Sequence, residues 1–225
     1  MDSVFNDKAS LVLRKMLEYP TKSWVAKDFI EDTNIGYAWA ARVLSQLRNK
    51  GYLKGVARGR NASSTLRNAK ELVQAWTQYY TFERNRTFAY YSPDENIPSK
   101  TKRFFNEAKY KEGYALTLHS GANLVTNHVR QENAYFYLDP NRFDEISLEL
   151  RKALDLKELK KGGNVYFIQP YYKNSVFFGA QKIGGYRVVS NLQLYLDLYH
   201  FPQRGREHAE YLLRTLKEEG KNLGG

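Results

Sequence analysis

The sequence predicts an α+β fold in two parts, a helical N-terminal part and a C-terminal part in which helices and strands alternate. In the first 80 residues, apolar side chains recur at helical spacing in three successive segments, and strand-like runs follow the third. From residue 87 onwards, short runs rich in β-branched and aromatic residues alternate with helical segments. No unit of roughly 20–50 residues repeats, so a solenoid or propeller is not expected. We therefore predict helices packed on a small mixed sheet in the C-terminal part.

Composition restricts the class of protein. Of the 225 residues, 42% are hydrophobic and 15% aromatic, which is enough for a substantial core. The chain has no cysteine, so disulfide bonds, zinc–thiolate sites and thiol catalysis are excluded. It has no run of about 18 uncharged apolar residues and no charged leader followed by an apolar stretch, so we expect neither a membrane span nor a signal peptide. A cytoplasmic protein is expected.

The positive charge is concentrated in one early segment. The net charge is +11, and the first 80 residues carry 13 basic and 7 acidic side chains. Residues 42–70 include eight lysines or arginines and no acidic residue. Such a concentrated patch is typical of a surface that binds a polyanion, although a solvated helix face can have the same composition.

Two helices are predicted before residue 34. Residues 7–19 have apolar side chains near helical spacing, and Pro20 ends the pattern. A short second helix is expected to follow, with Ser23 as its N-cap, because a serine side chain can accept a hydrogen bond from the first turn.

A third helix is predicted from Tyr37, followed by a basic hairpin. The apolar side of the helix is formed by Ala40, Val43, Leu44 and Leu47. Gly51 suits the position after the helix end. Residues 53–67 contain two short strand-like runs around a Gly-Arg-Asn tip, which predicts a β-hairpin. Three helices followed by a hairpin form the layout of a winged helix-turn-helix.

In a winged helix-turn-helix the third helix lies in the DNA major groove, so we predict that this chain binds double-stranded DNA. The candidate DNA-binding residues are Tyr37, Trp39, Arg42, Gln46, Arg48, Lys54, Arg58 and Arg60. Arginine and glutamine can form paired hydrogen bonds with guanine and adenine edges, and cations at the hairpin tip would meet phosphates or a narrow minor groove. Two alternatives remain open, since such modules also bind proteins and Trp39 is equally suited to packing against the hairpin.

The C-terminal part is predicted to follow a linking helix over residues 68–82. We place the boundary there, which gives a DNA-binding domain of residues 1–82 and an α+β domain of residues 83–225. The predicted strands are 87–91, 114–118, 134–138, 165–169, 176–179 and 186–189. The predicted helices are 100–111, 120–126, 144–154 and a final pair, 191–200 and 206–218.

No catalytic or metal site is predicted. The four histidines, His119, His128, His200 and His208, show no ligand spacing. The chain has no phosphate-binding glycine motif and no nucleophile elbow. We therefore expect no enzymatic activity, no bound metal and no cofactor. A ligand-sensing regulator, with a small molecule bound by the second domain, remains an alternative.

One pattern keeps a Mg²⁺-dependent nuclease open as a second alternative. Pro93-Asp94 followed by Glu107-Ala108-Lys109 is similar to the signature of restriction-type nucleases. In that chemistry the acids hold Mg²⁺, the lysine steadies the attacking water, and all of them lie on adjoining strands. The neighbouring aromatic residues, however, fit a helix face better than a strand.

Two segments of the C-terminal part resemble the AbiEi-type antitoxins. Tyr114-Ala115-Leu116-Thr117 followed by Ser120-Gly121-Ala122-Asn123-Leu124 is similar to a strand–helix start in that family, with His119 where the family often has glycine. The stretch from Val189 to Leu213 is similar to the closing signature of one of its branches. An N-terminal winged helix also belongs to the family.

The resemblance implies a function. Such proteins are the antitoxins of bacterial type IV toxin–antitoxin systems, which are linked to abortive infection by phage. The winged helix represses the promoter of its own operon at inverted repeats, and the C-terminal domain counters a nucleotidyltransferase-like toxin without needing a stable complex with it. We expect a homodimer on DNA, because reading two half-sites usually takes two copies. We also expect Arg204 to pair with Asp197 or Glu210 across the last helix junction.

Overall fold

The structure, a computed structural model, describes residues 3–56, 59, 62–107, 110–129, 133–159 and 162–224, and of Glu107 only the backbone. Its α-helices are α1 (Asp7–Glu18), α2 (Ile30–Thr33), α3 (Tyr37–Asn49), α4 (Ala69–Tyr79), α5 (Ile97–Glu107), α6 (Leu118–Thr126), α7 (Phe143–Ala153), α8 (Asn191–Tyr199) and α9 (Gly205–Glu218). Two short 3₁₀ helices cover Ala26–Phe29 and Phe82–Arg84. Together with the strands below, these elements confirm the predicted α+β class.

The described strands form a two-stranded pair and a seven-stranded mixed sheet. They are β1 (Leu53–Lys54), β2 (Thr65–Leu66), β3 (Arg86–Tyr91), β4 (Tyr114–Leu116), β5 (Ala134–Leu138), β6 (Lys157–Glu158), β7 (Val165–Gln169), β8 (Gln181–Ile183) and β9 (Tyr186–Val188). The order in the larger sheet is β6-β3-β7-β5-β4-β9-β8. The pairs β5–β7 and β4–β9 are parallel and the others antiparallel.

The centre of the larger sheet is covered on both faces. All five residues of β5 are buried, which explains why the strand is a continuous apolar run rather than an alternating one. Helices α6, α8 and α9 pack against one another and α6 also contacts β5, whereas α7 contacts β5 and α5. Residues 191–198 of α8 are all buried, so this helix is the most enclosed element of the group.

The N-terminal elements pack around α3. Helix α1 and the 3₁₀ helix Ala26–Phe29 both contact α3, and β1 and β2 pair directly after it. An isolated bridge between Trp24 and Ser64 attaches the hairpin to the segment before the 3₁₀ helix. Gly51 ends α3 with φ of +80°, and its N–H donates to Arg48 O at 2.8 Å, as predicted for a residue after a helix end.

Two predicted features are wrong. Ser23 is not an N-cap, because the 3₁₀ helix begins at Ala26 and the Asp28 carboxylate accepts the Val25 N–H at 2.8 Å. The predicted strand 176–179 is a series of turns, in which the Val176 N–H donates to Tyr172 O at 3.0 Å. Strand β8 lies a few residues later and returns through a two-glycine turn, where both glycines have positive φ.

The junction of α8 and α9 differs from the prediction. Arg204 pairs with Glu207, not with Asp197 or Glu210, because Asp197 is fully buried and Glu210 pairs with Arg206. Arg204 itself takes the left-handed conformation, with φ of +56°. Gly205 is required for a different reason, since a Cβ there would contact the Leu198 carbonyl and lie 2.6 Å from Phe201 Cβ.

We predict that Gly205→Ala lowers the free energy of unfolding by about 1–3 kcal/mol, because a methyl group would force the α8–α9 corner apart. Urea denaturation at fixed pH measures the change. The matched control is Gly36→Ala, where φ is −69° and a Cβ meets nothing within 4 Å. Equal effects of the two substitutions would show that the close approach at Gly205 is unimportant.

Candidate nucleic-acid interface

Helix α3 buries one side and presents the other to solvent. Its buried residues are Ala40, Val43, Leu44 and Leu47, the stripe expected from the sequence. The opposite side begins with Tyr37, whose side chain is 62% exposed, and continues through Arg42 and Ser45, which are also exposed. A basic, exposed helix side next to a hairpin can reach both base edges and phosphates.

The structure separates the candidate DNA-binding residues into three groups. Tyr37, Arg42 and Lys54 are exposed. Trp39, Gln46 and Arg48 are half-buried. Arg58 and Arg60 lie outside the described residues. The exposed group can meet a ligand directly, whereas the half-buried group has protein contacts that compete with one.

Trp39 packs towards α1 rather than towards the hairpin. It lines a small crevice with Asn6, Ala9, Arg42 and Gln46. Its indole Nε1 is buried and has no hydrogen-bond partner among the described residues. The prediction that Trp39 serves as a binding residue is not tested by this geometry, but its contacts are those of a side chain that supports the neighbouring Arg42 and Gln46.

Arg48 connects α3 with the hairpin. Its guanidinium donates to Ser64 Oγ at 2.5 Å, and Ser64 in turn exchanges both backbone hydrogen bonds with Trp24 at 2.8 Å. Beside this contact lies a groove of about 510 Å³, whose lining includes Lys27 and Tyr37. Arg48 thus fixes the position of the hairpin relative to the exposed side of α3.

A buried polar cluster, which the sequence analysis did not predict, lies around Asp197 on α8. The Asp197 carboxylate is fully buried and accepts hydrogen bonds from Tyr80 Oη at 2.7 Å, Tyr137 Oη at 3.1 Å and Gln193 Nε2 at 2.7 Å. Thr117 Oγ1 donates to its other oxygen at 2.5 Å. Burial raises the pKa of Asp197 to about 6, and these four donors act in the opposite direction.

Arg14 joins this cluster to α1. It is buried on the inner side of α1 and donates from Nη2 to Gln193 Oε1 at 2.5 Å. Its guanidinium also lies over the rings of Trp76 and Tyr172, 5.3 and 5.6 Å from their centroids. Burial lowers the pKa of Arg14, and its Nε and Nη1 have no hydrogen-bond partner among the described residues. The ring contacts stabilise this cation where water is excluded.

A sequence signal for the cluster existed. Arg14 interrupts the apolar stripe of α1, and Asp197 is the one ionisable carboxyl in the buried run 191–198. A charge within an otherwise apolar helix face predicts a buried, partnered group. Apart from Gln193 on the helix of Asp197, the partners could not have been found from the sequence, because they are 60 to 179 residues away.

Two histidines form a buried pair rather than a metal site. His119 Nδ1 lies 2.8 Å from His208 Nδ1, and His119 Nε2 donates to the Gln203 carbonyl at 2.6 Å. His119 Nδ1 is therefore the acceptor, and His208 Nδ1 is the donor. Burial lowers the pKa of His208 to about 4. Within the described part of the chain, no group of three His, Cys, Asp or Glu residues could hold a metal ion.

The nuclease-like residues are not arranged on adjoining strands. Asp94 precedes α5 and pairs with Lys100, while Glu107 is the last residue of α5. Helix α5, which has 11 residues and is about 16 Å long, lies between them in the chain. Ala108 and Lys109 lie outside the described residues. The nuclease alternative requires these acids on adjoining strands, and neither Asp94 nor Glu107 lies on a strand.

A comparison with known protein families identifies the family of this chain. A family model for a transcriptional regulator, the AbiEi antitoxin of type IV toxin–antitoxin systems, matches residues 65–217. The chain belongs to the AbiEi family. This confirms the resemblance seen in the two C-terminal segments. No curated protein and no solved structure matches the chain.

The AbiEi match includes most of the buried cluster. It begins at β2 and extends into α9, so it contains Tyr80, Thr117, Tyr137 and Asp197 but not Arg14. Helices α1 to α3 lie before it. Among the described helices of this AbiEi-family chain, none is both long and apolar enough to cross a membrane.

We predict that Asp197→Asn removes a pH dependence of stability. The folded-state pKa of about 6 exceeds the ordinary value of 3.8, so the folded protein binds this proton more tightly than the unfolded chain does. Between about pH 4 and pH 6 the free energy of unfolding therefore falls as pH rises, by on the order of 2 kcal/mol from this group. Asparagine cannot ionise. Its amide N–H can donate to Thr117 Oγ1, which in the parent donates to the carboxylate.

Urea denaturation of both proteins at pH 4.5 and pH 7 measures this contribution, since other titrating groups cancel in the difference. The Asn variant should gain stability relative to the parent as pH rises. Asp197→Leu is the matched control, because it leaves four donors without an acceptor and should be destabilised at both pH values. A parent–Asn difference that is independent of pH would contradict the assigned pKa.

Proposed function

We propose that this AbiEi-family chain is an antitoxin that represses the promoter of its own operon by sequence-specific DNA binding. In this proposal residues 1–82 form a winged helix-turn-helix, with α3 as recognition helix and the β1–β2 hairpin as wing. Residues 83–225 form the domain that counters the toxin. The observation that carries the proposal is an exposed α3 face centred on Arg42, within a segment of eight basic and no acidic residues.

Each candidate residue has a proposed role. Arg42 and Gln46 read base edges in the major groove, because their side chains can make paired hydrogen bonds there. Tyr37, Lys54, Arg58 and Arg60 contact phosphates or the minor groove. Trp39 and Arg48 act through their neighbours, since Trp39 lines one crevice with Arg42 and Gln46, and Arg48 donates to Ser64 of the hairpin.

The proposed partners follow from the family and from symmetry. The DNA partner is an inverted repeat in the promoter, read by two copies of the chain, and the site of action is the cytoplasm. The second partner is a nucleotidyltransferase-like toxin, countered without a stable complex. A catalytic role is not proposed. Burial raises the pKa of Asp197 and lowers the pKa values of His119 and His208, and in the core these side chains hydrogen-bond to other groups of the protein.

We predict that Arg42→Ala weakens binding to the operon's inverted repeat about tenfold or more while leaving binding to unrelated DNA nearly unchanged. Fluorescence anisotropy with both DNAs, over a series of salt concentrations, measures the two affinities and their salt slopes. The control is Lys152→Ala, which removes an exposed cation from α7. If the Arg42 and Lys152 variants both bind the repeat with the affinity of the parent, the recognition role of α3 is wrong.

We also predict that repression and toxin neutralisation can be separated. Arg42→Ala should lose repression of a reporter driven by the operon promoter but still restore growth of cells that express the toxin from an unrelated promoter. The reason is that Arg42 lies on the outer side of α3, before the family-matched region. Loss of both activities in a variant with normal stability would show that DNA binding and neutralisation share one surface.

A further inference from the structure

A groove of about 220 Å³ lies where the N-terminal helices meet the C-terminal ones. One side is formed by Leu17 at the end of α1 and Val73 on α4, and the other by Tyr195 on α8 and Leu213 on α9. The C-terminal tail completes it with Leu223. We infer that this groove binds a small aromatic carboxylate.

The walls of the groove select an apolar body. Leu17, Val73, Tyr195 and Leu223 are each less than 9% exposed, and their side chains meet the groove with apolar surface. The tail is held tightly, because a Cβ on Gly224 would overlap the backbone of Leu17. A preformed apolar recess of this kind gains by exchanging water for an apolar ligand.

The rim of the groove selects a negative charge. Among the described residues, Lys70, Lys217 and Lys221 line it, and no Asp or Glu side chain does. Lys70 and Lys217 make no ion pair within the described part of the chain, whereas Lys221 pairs with Glu219 at 2.8 Å. Two unpaired ammonium groups beside an apolar recess are complementary to a ligand with an apolar body and one anionic end.

The volume selects a single ring. Pockets for drug-sized ligands occupy roughly 300–1,000 Å³, so this groove is smaller than those. A dry apolar cavity of about 150 Å³ is large enough for benzene. The groove of about 220 Å³ therefore accommodates one six-membered ring and a short acid group. Phenylacetate is the probe with this chemistry.

Ligand binding there would act on the DNA-binding part. Lys70 and Val73 belong to α4, which leads directly from the hairpin strand β2, and Leu17 belongs to α1, which packs on α3. A ligand that joins these side chains to α8 and α9 favours one placement of α3 over others. This regulatory step rests on the proposed DNA-binding function, whereas ligand binding itself does not.

Isothermal titration of the full chain with phenylacetate tests the inference. We expect saturable binding of one ligand per chain, at least about tenfold weaker binding of the uncharged phenylacetamide, and a similar loss for Lys217→Glu. The matched control is Lys152→Glu, which makes the same charge change in the last turn of another helix and should bind as the parent does. Leu213→Trp fills the groove and should abolish binding without removing any charge.

The outcomes are distinguishable. Absence of saturable phenylacetate binding, or equal binding by the Lys217 and Lys152 variants, overturns the inference. Binding of an acidic peptide in place of phenylacetate also overturns it, because that assigns the groove to a protein partner. If phenylacetate binds as expected but the chain has no affinity for its promoter DNA, the ligand site stands and the proposed function fails.

Discussion

The fold depends on the hydrogen bonds that one buried carboxylate accepts. Asp197 accepts hydrogen bonds from Thr117 after β4, Tyr137 on β5, Tyr80 after α4 and Gln193 on its own helix. Moving a carboxylate out of water is costly unless its hydrogen bonds are replaced, so each of these elements must keep its donor within hydrogen-bonding distance of Asp197. The two tyrosines remain neutral donors, because burial raises the pKa of each well above the ordinary value. The cluster therefore determines how the sheet, α4 and α8 fit together.

A second layer of polar contacts extends this arrangement to α1. Arg14 donates to Gln193, and Ser10 Oγ donates to Ser175 Oγ at 2.8 Å. The Asp7 carboxylate accepts the backbone N–H of Ser175 at 3.0 Å. Because directional contacts have narrow geometric tolerance, they restrict the rotation of α1 more than apolar packing alone would. Helix α1 packs on α3, so the exposed α3 face has a defined orientation relative to the sheet.

Local sequence patterns predicted most of the helices and strands. Where the predictions failed, contacts between residues distant in the sequence are the reason. Strands β5 and β7 match their predicted bounds, since five-residue apolar runs between turn residues are unambiguous. The segment 176–179 has equally strong β-formers, yet Val176 follows a turn that contacts α1 and is buried there. On α3 the buried stripe was predictable from spacing, but the contact between Arg48 and Ser64 was not. Sixteen residues and a hairpin separate the two, and only the folded hairpin brings them together.

The family relationship and the proposed DNA contacts occupy different parts of the chain. The AbiEi match covers residues 65–217, whereas Arg42 and Gln46 lie on a helix before it. Helix α3 reaches the rest of the molecule mainly through α1, the 3₁₀ helix and β1, and none of its outward side chains takes part in the Asp197 cluster. Substitutions on the outer face of α3 therefore leave the buried contacts around Asp197 undisturbed, and under the proposed function they would change DNA preference alone.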